Sequence, residues 1–295
     1  MKKILALTLS AILCLGLLAG CGTEATPSAT DPATTEPATE PSSETTGTTG
    51  ELETIIVGAS STPHAEILEA VRGELEALGY NLEVEVFNDY IIPNTALADG
   101  SLYANYFQHG PYLENFNAER GTDLVNAAAI HYEPMGIYPG SKASLDELSE
   151  GDTIAVPNDG SNETRALLLL QDEGYITLKE GIDASSVATK LDIVDNPLNL
   201  EILEMNAENI PHSLPDVAFG IINGNYALQA GLTGNDALAS EDAESDAAQT
   251  YANIVACRNG DENSDKIQAL ITALTSDTCR DYIESTYNGA VVPIF

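Results

Sequence analysis

Positively charged residues are scarce in this sequence. Among its 295 residues, 11 are Lys or Arg and 46 are Asp or Glu, so the formal net charge is -35 and the sequence pI is near 4.1. A protein that binds nucleic acid needs clustered Lys and Arg to neutralise phosphates. The composition therefore excludes nucleic acid as a partner and disfavours unaided attachment to an anionic membrane.

Tryptophan is absent and cysteine is rare. Of the four cysteines, Cys257 and Cys279 fall in the main body, where two are too few for a disulfide framework and have no zinc-site spacing. P-loop, GxSxG, HExxH and dinucleotide-binding motifs are missing as well. We therefore expect no cofactor, no metal and no catalytic residue. With 43% hydrophobic residues, the fold should depend mainly on an apolar core.

The N-terminus has the pattern of an export signal. Lys2 and Lys3 precede an apolar run from Ile4 to Leu18, which predicts a secretory signal peptide over residues 1–20. A short membrane anchor is the alternative. The sequence LAGC ending at Cys21 resembles the lipobox of bacterial lipoproteins, which implies that Cys21 becomes the lipid-modified first residue. The protein would then be held on the outer face of the cytoplasmic membrane.

The segment after Cys21 has a biased composition. Residues 22–50 consist mainly of Thr, Ser, Pro, Ala, Glu and Gly, without any aromatic residue. Such a segment cannot bury a core. We therefore predict that residues 21–50 form a lipidated, disordered linker.

The body repeats a strand, a polar loop and a helix. A β-branched run at residues 54–57 precedes GASSTP and a helical pattern from Pro63 to Gly79, and similar units follow residues 153–156 and 217–222. This alternation predicts an α/β fold with mainly parallel sheets flanked by helices. Ligands of such folds bind at the carboxyl ends of strands, so the loops FNDY, PNDGSN and IING are candidate sites.

Aromatic residues are concentrated between residues 103 and 116, where 5 of the 17 Tyr and Phe residues fall. Polar neighbours such as Asn, Gln and Gly surround two of these aromatic residues, Phe107 and Tyr112. The same holds for His109 between them and for Tyr90 upstream. They could pack in the core of the fold. An aromatic-lined binding pocket is an equally good interpretation.

Arg165 is the candidate anion-binding residue. The pattern predicts that it lies in the first turn of a helix introduced by PNDGSN, where a cation is disfavoured unless an anion binds there. The alternative is a surface ion pair with Asp159 or Glu163. Asn162 could cap this helix or reach the same anion. Two further asparagines have similar alternatives, since Asn223 could cap its own helix and Asn253 could be an ordinary strand residue.

Eight segments occur in the order typical of one known family. They are GASSTPHAEIL, FNDYIIPNTAL, LYANYFQHGPYL, HYEPMGIYPGSK, VPNDGSNETRALLLLQDEGYITLK, DNPLNLEI, INGNYA and YANIVA. From about Ile55 to Phe295 the chain thus resembles the NlpA-type methionine-binding lipoproteins, the substrate-binding components of ABC importers. The resemblance implies a two-lobed periplasmic-binding-protein-like fold of type II, with residues 51–136 plus 250–295 in lobe 1 and residues 137–249 in lobe 2.

The resemblance also implies a ligand site and partners. Matched motif by motif, the ligand-binding residues are Tyr90, Phe107, His109, Tyr112, Asn162, Arg165, Asn223 and Asn253. Arg165 and Asn162 would hold the carboxylate of methionine. The other two asparagines, with His109 or Tyr hydroxyls, would accept from its ammonium, and the aromatic rings would surround its thioether.

The partners implied are L-methionine and the permease and ATPase of an ABC importer, with no catalysis. D-methionine, a Met-containing dipeptide or another small amino acid are alternative ligands. More distant alternatives are a surface hydrolase using His109 and an adhesin.

Overall fold

The computed structural model describes residues 52–242 and 250–295. The signal peptide, Cys21 and the linker predicted for residues 1–50 lie outside the described residues, as do residues 243–249 of the predicted lobe 2. Within the described residues, no helix is both long enough and apolar enough to cross a membrane.

Strands and helices alternate along the body. The strands are β1 (Glu53–Ser60), β2 (Tyr80–Phe87), β3 (Ala104–His109), β4 (Val125–Tyr132), β5 (Gly136–Pro139), β6 (Thr153–Pro157), β7 (Thr177–Leu178), β8 (Ile193–Asp195), β9 (Glu201–Met205), β10 (Phe219–Ile222), β11 (Ala239–Ser240), β12 (Asn253–Cys257) and β13 (Val292–Pro293). The α-helices are α1 (Glu66–Ala70), α2 (Arg72–Ala77), α3 (Ile92–Ala98), α4 (Gly110–Arg120), α5 (Gly160–Asp172), α6 (Ile210–Ser213), α7 (Gly224–Gln229), α8 (Asp265–Leu274) and α9 (Asp277–Tyr287). A π-helical turn covers Ser61–Ala65, and 3-10 turns cover Leu145–Glu147, Lys190–Asp192, Ala207–Asn209 and Leu214–Asp216.

Two larger sheets divide the body into two lobes. The first sheet has the strand order β13-β4-β12-β3-β1-β2, and the second has the order β11-β5-β10-β6-β9. The strands of the first sheet come from both ends of the body, whereas those of the second come from its middle. The predicted α/β fold with two lobes is confirmed. The chain passes between the sheets twice, once between β4 and β5 and once between β11 and β12.

The sheets are mixed rather than mainly parallel. β1 runs parallel to β2 and β3, and β6 runs parallel to β9 and β10. β12, however, inserts antiparallel between β3 and β4 after the chain has returned from the second lobe, and β5 pairs antiparallel with β10 and β11. The expectation of mainly parallel pairing was wrong for these strands because a strand, loop and helix pattern does not encode strand direction.

Each lobe has its own apolar core. In the first lobe, Ile55 and Val57 of β1 pack with the α1–α2 region and with Ile267 of α8. In the second lobe, Leu167 and Leu170 of α5 pack against strands β6 and β10. The helix predicted from Pro63 to Gly79 is broken at Val71, whose backbone leaves the helical conformation with φ -100° and ψ 7°. Cys257 and Cys279 are both buried and free.

Candidate functional site

A small cavity of about 20 Å³ lies between the two sheets, at the carboxyl ends of β3, β6 and β10. Its lining residues are Tyr90, Phe107, Gln108, His109, Tyr112, Glu133, Asn162, Arg165, Asn223, Gly224, Asn225 and Asn253. The structure therefore brings all eight residues named from the sequence around one cavity.

Aromatic rings form one wall of the cavity. The ring of Tyr90 lies 5.8 Å from that of Phe107, 5.5 Å from that of Tyr112 and 4.9 Å from that of Tyr226, between centroids. Tyr226 belongs to the second lobe and packs on Tyr90 without lining the cavity, so the aromatic cluster connects the two lobes. Burial raises the pKa of Tyr90 and of Tyr112, which keeps both phenols neutral.

Arg165 is deeply buried, with 3% of its surface exposed, but it lies in the second turn of α5. The helix begins at Gly160 and is capped by Asp159, whose Oδ1 accepts from the backbone N–H of Asn162 at 2.9 Å. The placement of Arg165 in the first turn was therefore wrong. The helix terminus is already satisfied by its own cap, so the guanidinium and not the helix end is the available anion-binding group.

Arg165 has a carboxylate partner from the second crossing between the lobes. Its Nε and Nη2 donate to the two carboxylate oxygens of Glu241 at 2.7 and 2.6 Å, and Nη2 also donates to the backbone carbonyl of Glu133 at 2.7 Å. The ring of Tyr251 lies 4.4 Å from Cζ. Burial lowers the pKa of Arg165, yet the attraction of Glu241 more than offsets this and leaves the pKa raised.

This geometry differs from both sequence-based interpretations of Arg165. Arg165 is buried rather than on the surface, and its partner is Glu241 rather than Asp159 or Glu163. Within the described residues no hydrogen bond engages Nη1, which leaves one edge of the guanidinium for a ligand. Bonds to Glu133 and Glu241 connect Arg165 to both crossing segments.

A chain of amides crosses the cavity from Asp159. Nδ2 of Asn162 donates to both Asp159 oxygens at 2.9 and 3.0 Å, which fixes the orientation of the amide. Its Oδ1 therefore accepts from Nδ2 of Asn223 at 2.7 Å and from Nε2 of His109 at 3.1 Å. Asn223 does not cap its helix. Its Oδ1 is buried without a hydrogen-bond partner, as is Nδ2 of Asn225.

His109 has both ring nitrogens engaged. Nδ1 accepts from the backbone N–H of Tyr112 at 3.2 Å, so Nε2 carries the proton that is donated to Asn162. Burial, with Arg165 nearby, lowers the pKa of His109 to about 3, so the ring is neutral. The expected role of His109 as an acceptor for an ammonium group is therefore not available in this arrangement.

Behind the cavity, His64, His131 and Glu133 are buried and offer side-chain atoms within 4.8 Å of one another. This spacing would suit a metal ion. The atoms are instead hydrogen-bonded, since Nε2 of His131 lies 2.7 Å from Oε1 of Glu133 and Nε2 of His64 lies 3.0 Å from Oδ1 of Asn253. We therefore treat the three residues as a buried hydrogen-bond network.

Comparison with known proteins gives the family. The NlpA lipoprotein profile matches residues 55–295. The chain belongs to the NlpA lipoprotein family. It is 43% identical over 246 residues to the methionine-binding lipoprotein MetQ of Bacillus subtilis, covering 81% of this chain and 88% of the relative. It is 39% identical over 241 residues to the D-methionine-binding lipoprotein MetQ of Escherichia coli, covering 81% and 86%.

A solved member of the family shares the fold. A nutrient binding protein from Burkholderia cenocepacia bound to methionine is 41% identical to this chain, with a TM-score of 0.78, and the match covers 82% of this chain and 100% of that one. This neighbour and the MetQ crystal structure share the two-lobed periplasmic-binding fold.

In this chain, four residues that line the cavity were not predicted from the sequence: Gln108, Glu133, Gly224 and Asn225. All four lie inside the recognised motifs LYANYFQHGPYL, HYEPMGIYPGSK and INGNYA, so membership of these motifs was the available signal. Glu133 also follows the apolar strand β4 directly, as a lone acid before Pro134. Glu241, the partner of Arg165, lies in an acidic run and had no distinguishing signal.

Proposed function

We propose that this chain is a lipid-anchored receptor that binds methionine between its two lobes and delivers it to an ABC importer. The family membership and the names of the relatives support the ligand and the transport role. The observation that carries the proposal is a cavity lined by a buried guanidinium and by aromatic rings. We assign it no catalytic role, in keeping with relatives that are binding proteins.

The carboxylate of the ligand would bind at Arg165. Nη1 faces no hydrogen-bond partner among the described residues, and charge-assisted hydrogen bonds of a guanidinium to a carboxylate are stronger than neutral ones. Because Nε and Nη2 are held by Glu241, the guanidinium is fixed before the ligand arrives. A preorganised group loses less conformational freedom on binding.

The α-ammonium would donate to asparagine oxygens. Oδ1 of Asn223 is buried and has no partner, while its orientation is fixed through Asn162 and Asp159. A buried acceptor without a donor is costly, and a ligand N–H group removes that cost. Oδ1 of Asn253 accepts one hydrogen bond from His64 and has a second lone pair.

The thioether would lie against the aromatic wall formed by Tyr90, Phe107 and Tyr112. Contacts between sulfur and aromatic rings contribute roughly 0.3–1.5 kcal/mol each. A flexible, weakly polar side chain suits this wall, whereas a charged side chain would lose its hydration without a partner.

Closure of the lobes would accompany binding. The hydroxyl of Tyr90 in the first lobe donates to Oδ1 of Asn225 in the second at 2.6 Å, and His109 donates to Asn162 across the same gap. A ligand held by residues of both lobes favours the closed state. We take the lobes as residues 51–136 plus 250–295 and residues 137–249, with lipid on Cys21 holding the protein at the outer face of the cytoplasmic membrane.

Mass spectrometry of the ligand released from the purified, denatured protein tests this function. We expect methionine, and calorimetry should then show saturable binding of L-methionine. D-methionine and a Met-containing dipeptide are compared in the same assay, because the name of the Escherichia coli relative specifies the D-isomer. A protein that binds none of these, or that converts a ligand to product, would refute the receptor proposal.

A further inference from the structure

Helix α7 of the second lobe lies against the first lobe outside the ligand cavity. The hydroxyl of Tyr226 donates to the backbone carbonyl of Asn88, in the loop after β2, at 3.2 Å. Nε2 of Gln229 donates to the backbone carbonyl of Thr62, in the π-helical turn after β1, at 3.4 Å. The ring of Tyr226 packs on that of Tyr90, with 4.9 Å between the centroids and 32° between the planes. One short helix thus contacts three segments of the other lobe.

Tyr226 occupies a different position from its neighbours Asn223 and Asn225. Those two residues line the cavity, whereas Tyr226 does not, although only 4% of its surface is exposed. Its ring belongs to an apolar cluster of the second lobe against which Tyr90 of the first lobe packs. Burial raises the pKa of Tyr226, so its phenol keeps the proton that it donates to Asn88.

Tyr90 connects this contact to the cavity. Its ring lines the cavity and also packs on Tyr226, and its hydroxyl donates to Oδ1 of Asn225 at 2.6 Å. A ligand that touches Tyr90 therefore lies one residue away from Tyr226. The phenol of Tyr226 can influence binding through the position of the lobes, without a contact of its own to the ligand.

The contacts of Tyr226 with Asn88 and Tyr90 depend on the relative position of the lobes. One partner of each contact lies in each lobe, so rotation of the lobes about the crossing segments would separate the partners. In an open arrangement the hydroxyl and the carbonyl would bond to water instead. The net gain from one such hydrogen bond changes an equilibrium constant by about two- to tenfold.

We propose that Tyr226 is a positioning residue that stabilises the closed arrangement of the lobes and thereby sets how long a ligand is retained. The inference deepens the proposed function and rests on it for the identity of the ligand. A contact present only in the closed state favours that state with or without ligand. Apparent affinity scales with the population of the state that is competent to bind.

The variant Tyr226→Phe removes the hydroxyl and keeps the ring that packs on Tyr90. We expect methionine to dissociate about two- to tenfold faster, because opening no longer breaks the hydrogen bond to Asn88. Exchange of bound radiolabelled methionine for unlabelled methionine measures this rate. Tyr138→Phe is the matched control, since Tyr138 is a buried phenol of the same apolar cluster and forms no hydrogen bond to the first lobe within the described residues.

The distance between the lobes gives a readout that a purely structural role would not change. Spin labels on Glu119→Cys in α4 and Thr177→Cys in β7, both exposed positions, report this distance by double electron–electron resonance. Cys257 and Cys279 are buried and should not take up label. Without methionine, Tyr226→Phe should move the population toward longer distances by up to about tenfold, and saturating methionine should restore the shorter ones.

The outcomes separate this inference from the proposed function. Faster dissociation in Tyr226→Phe but not in Tyr138→Phe supports the positioning role. Unchanged dissociation together with unchanged distances, or equal changes in both variants, would show that Tyr226 serves only the core of the second lobe. If the unmodified protein does not bind methionine, the proposed function fails, while the distances measured without ligand still test the role of Tyr226.

Discussion

Arg165 would combine its proposed binding role with a structural one. Its guanidinium bonds to Glu241 and to the Glu133 carbonyl, so it connects the second lobe to both crossing segments, and its Nη1 edge remains for a ligand. A substitution that removes the arginine will therefore affect both binding and folding. The two effects can be separated by removing its carboxylate partner as well.

We predict that Arg165→Ala lowers methionine affinity by about 2–5 kcal/mol, because the ligand carboxylate would stay buried without its partner. The same change leaves Glu241 buried without a cation and should also lower the free energy of unfolding. The double variant Arg165→Met, Glu241→Gln removes both charges and should regain much of the stability without regaining affinity. Calorimetry and urea unfolding measure the two quantities. Tight methionine binding by the double variant would contradict the role assigned to Arg165.

For single residues, the sequence predicted which side chains line the cavity, but it did not predict all of their contacts. The eight residues named from the motifs line one cavity. The reason given for Arg165, a helix start that lacks a negative charge, was wrong, because Asp159 caps α5. The partner Glu241 is 76 positions away in the chain, and such a pairing is set by the three-dimensional fold rather than by local pattern.

Junctions between strands and helices position the site. His109 ends β3 and caps α4, while Asn223 follows β10 and immediately precedes α7. Each is followed by a glycine, but the two glycines have different surroundings. A Cβ atom at Gly224 would lie 2.7 Å from Cβ and 2.9 Å from Oε2 of Glu133, whereas a Cβ atom at Gly110 would meet nothing within 4 Å.

We predict that Gly224→Ala weakens methionine binding by about tenfold or more, since the added methyl group must displace Glu133, and small misplacements in a site are costly. Gly110→Ala is the matched control and should bind methionine as the unmodified protein does. Both helices begin with these glycines, so helix propensity changes in the same direction. Equal affinities of the two variants would show that the close approach at Gly224 is unimportant for binding.

The periodic elements were predictable and the irregular ones were not. Short β-branched or apolar runs and helical spacing identified β1, β6 and α5, because their apolar residues are buried in a core. The break at Val71 and the antiparallel insertion of β12 were not foreseen. The insertion of β12 arises from pairing between segments that are distant in the chain, which local periodicity does not report.

Excess negative charge acts on the whole molecule. A net charge of -35 must be held within one compact body and its N-terminal extension. Like charges repel more strongly in the folded state than in the expanded unfolded chain, because they are closer together. Added salt screens this repulsion over a distance that falls from roughly 30 Å at 0.01 M to 10 Å at 0.1 M.

We therefore predict that raising NaCl from about 0.01 M to 0.5 M increases the thermal unfolding temperature. Calorimetric scans at pH 7.5 measure the shift. At pH 4.5 many carboxylates are protonated, so the same addition should have a smaller effect. An unfolding temperature that stays constant or falls with salt at pH 7.5 would mean that repulsion between the acidic residues does not limit stability.

The two buried thiols have a practical consequence. Burial raises the pKa of Cys257 to about 11 and that of Cys279 to about 12, and the thiolate is the reactive form of cysteine. Native folding thus requires neither an oxidase nor a disulfide isomerase. A purification exposed to air should therefore leave Cys257 and Cys279 free of intermolecular sulfur crosslinks.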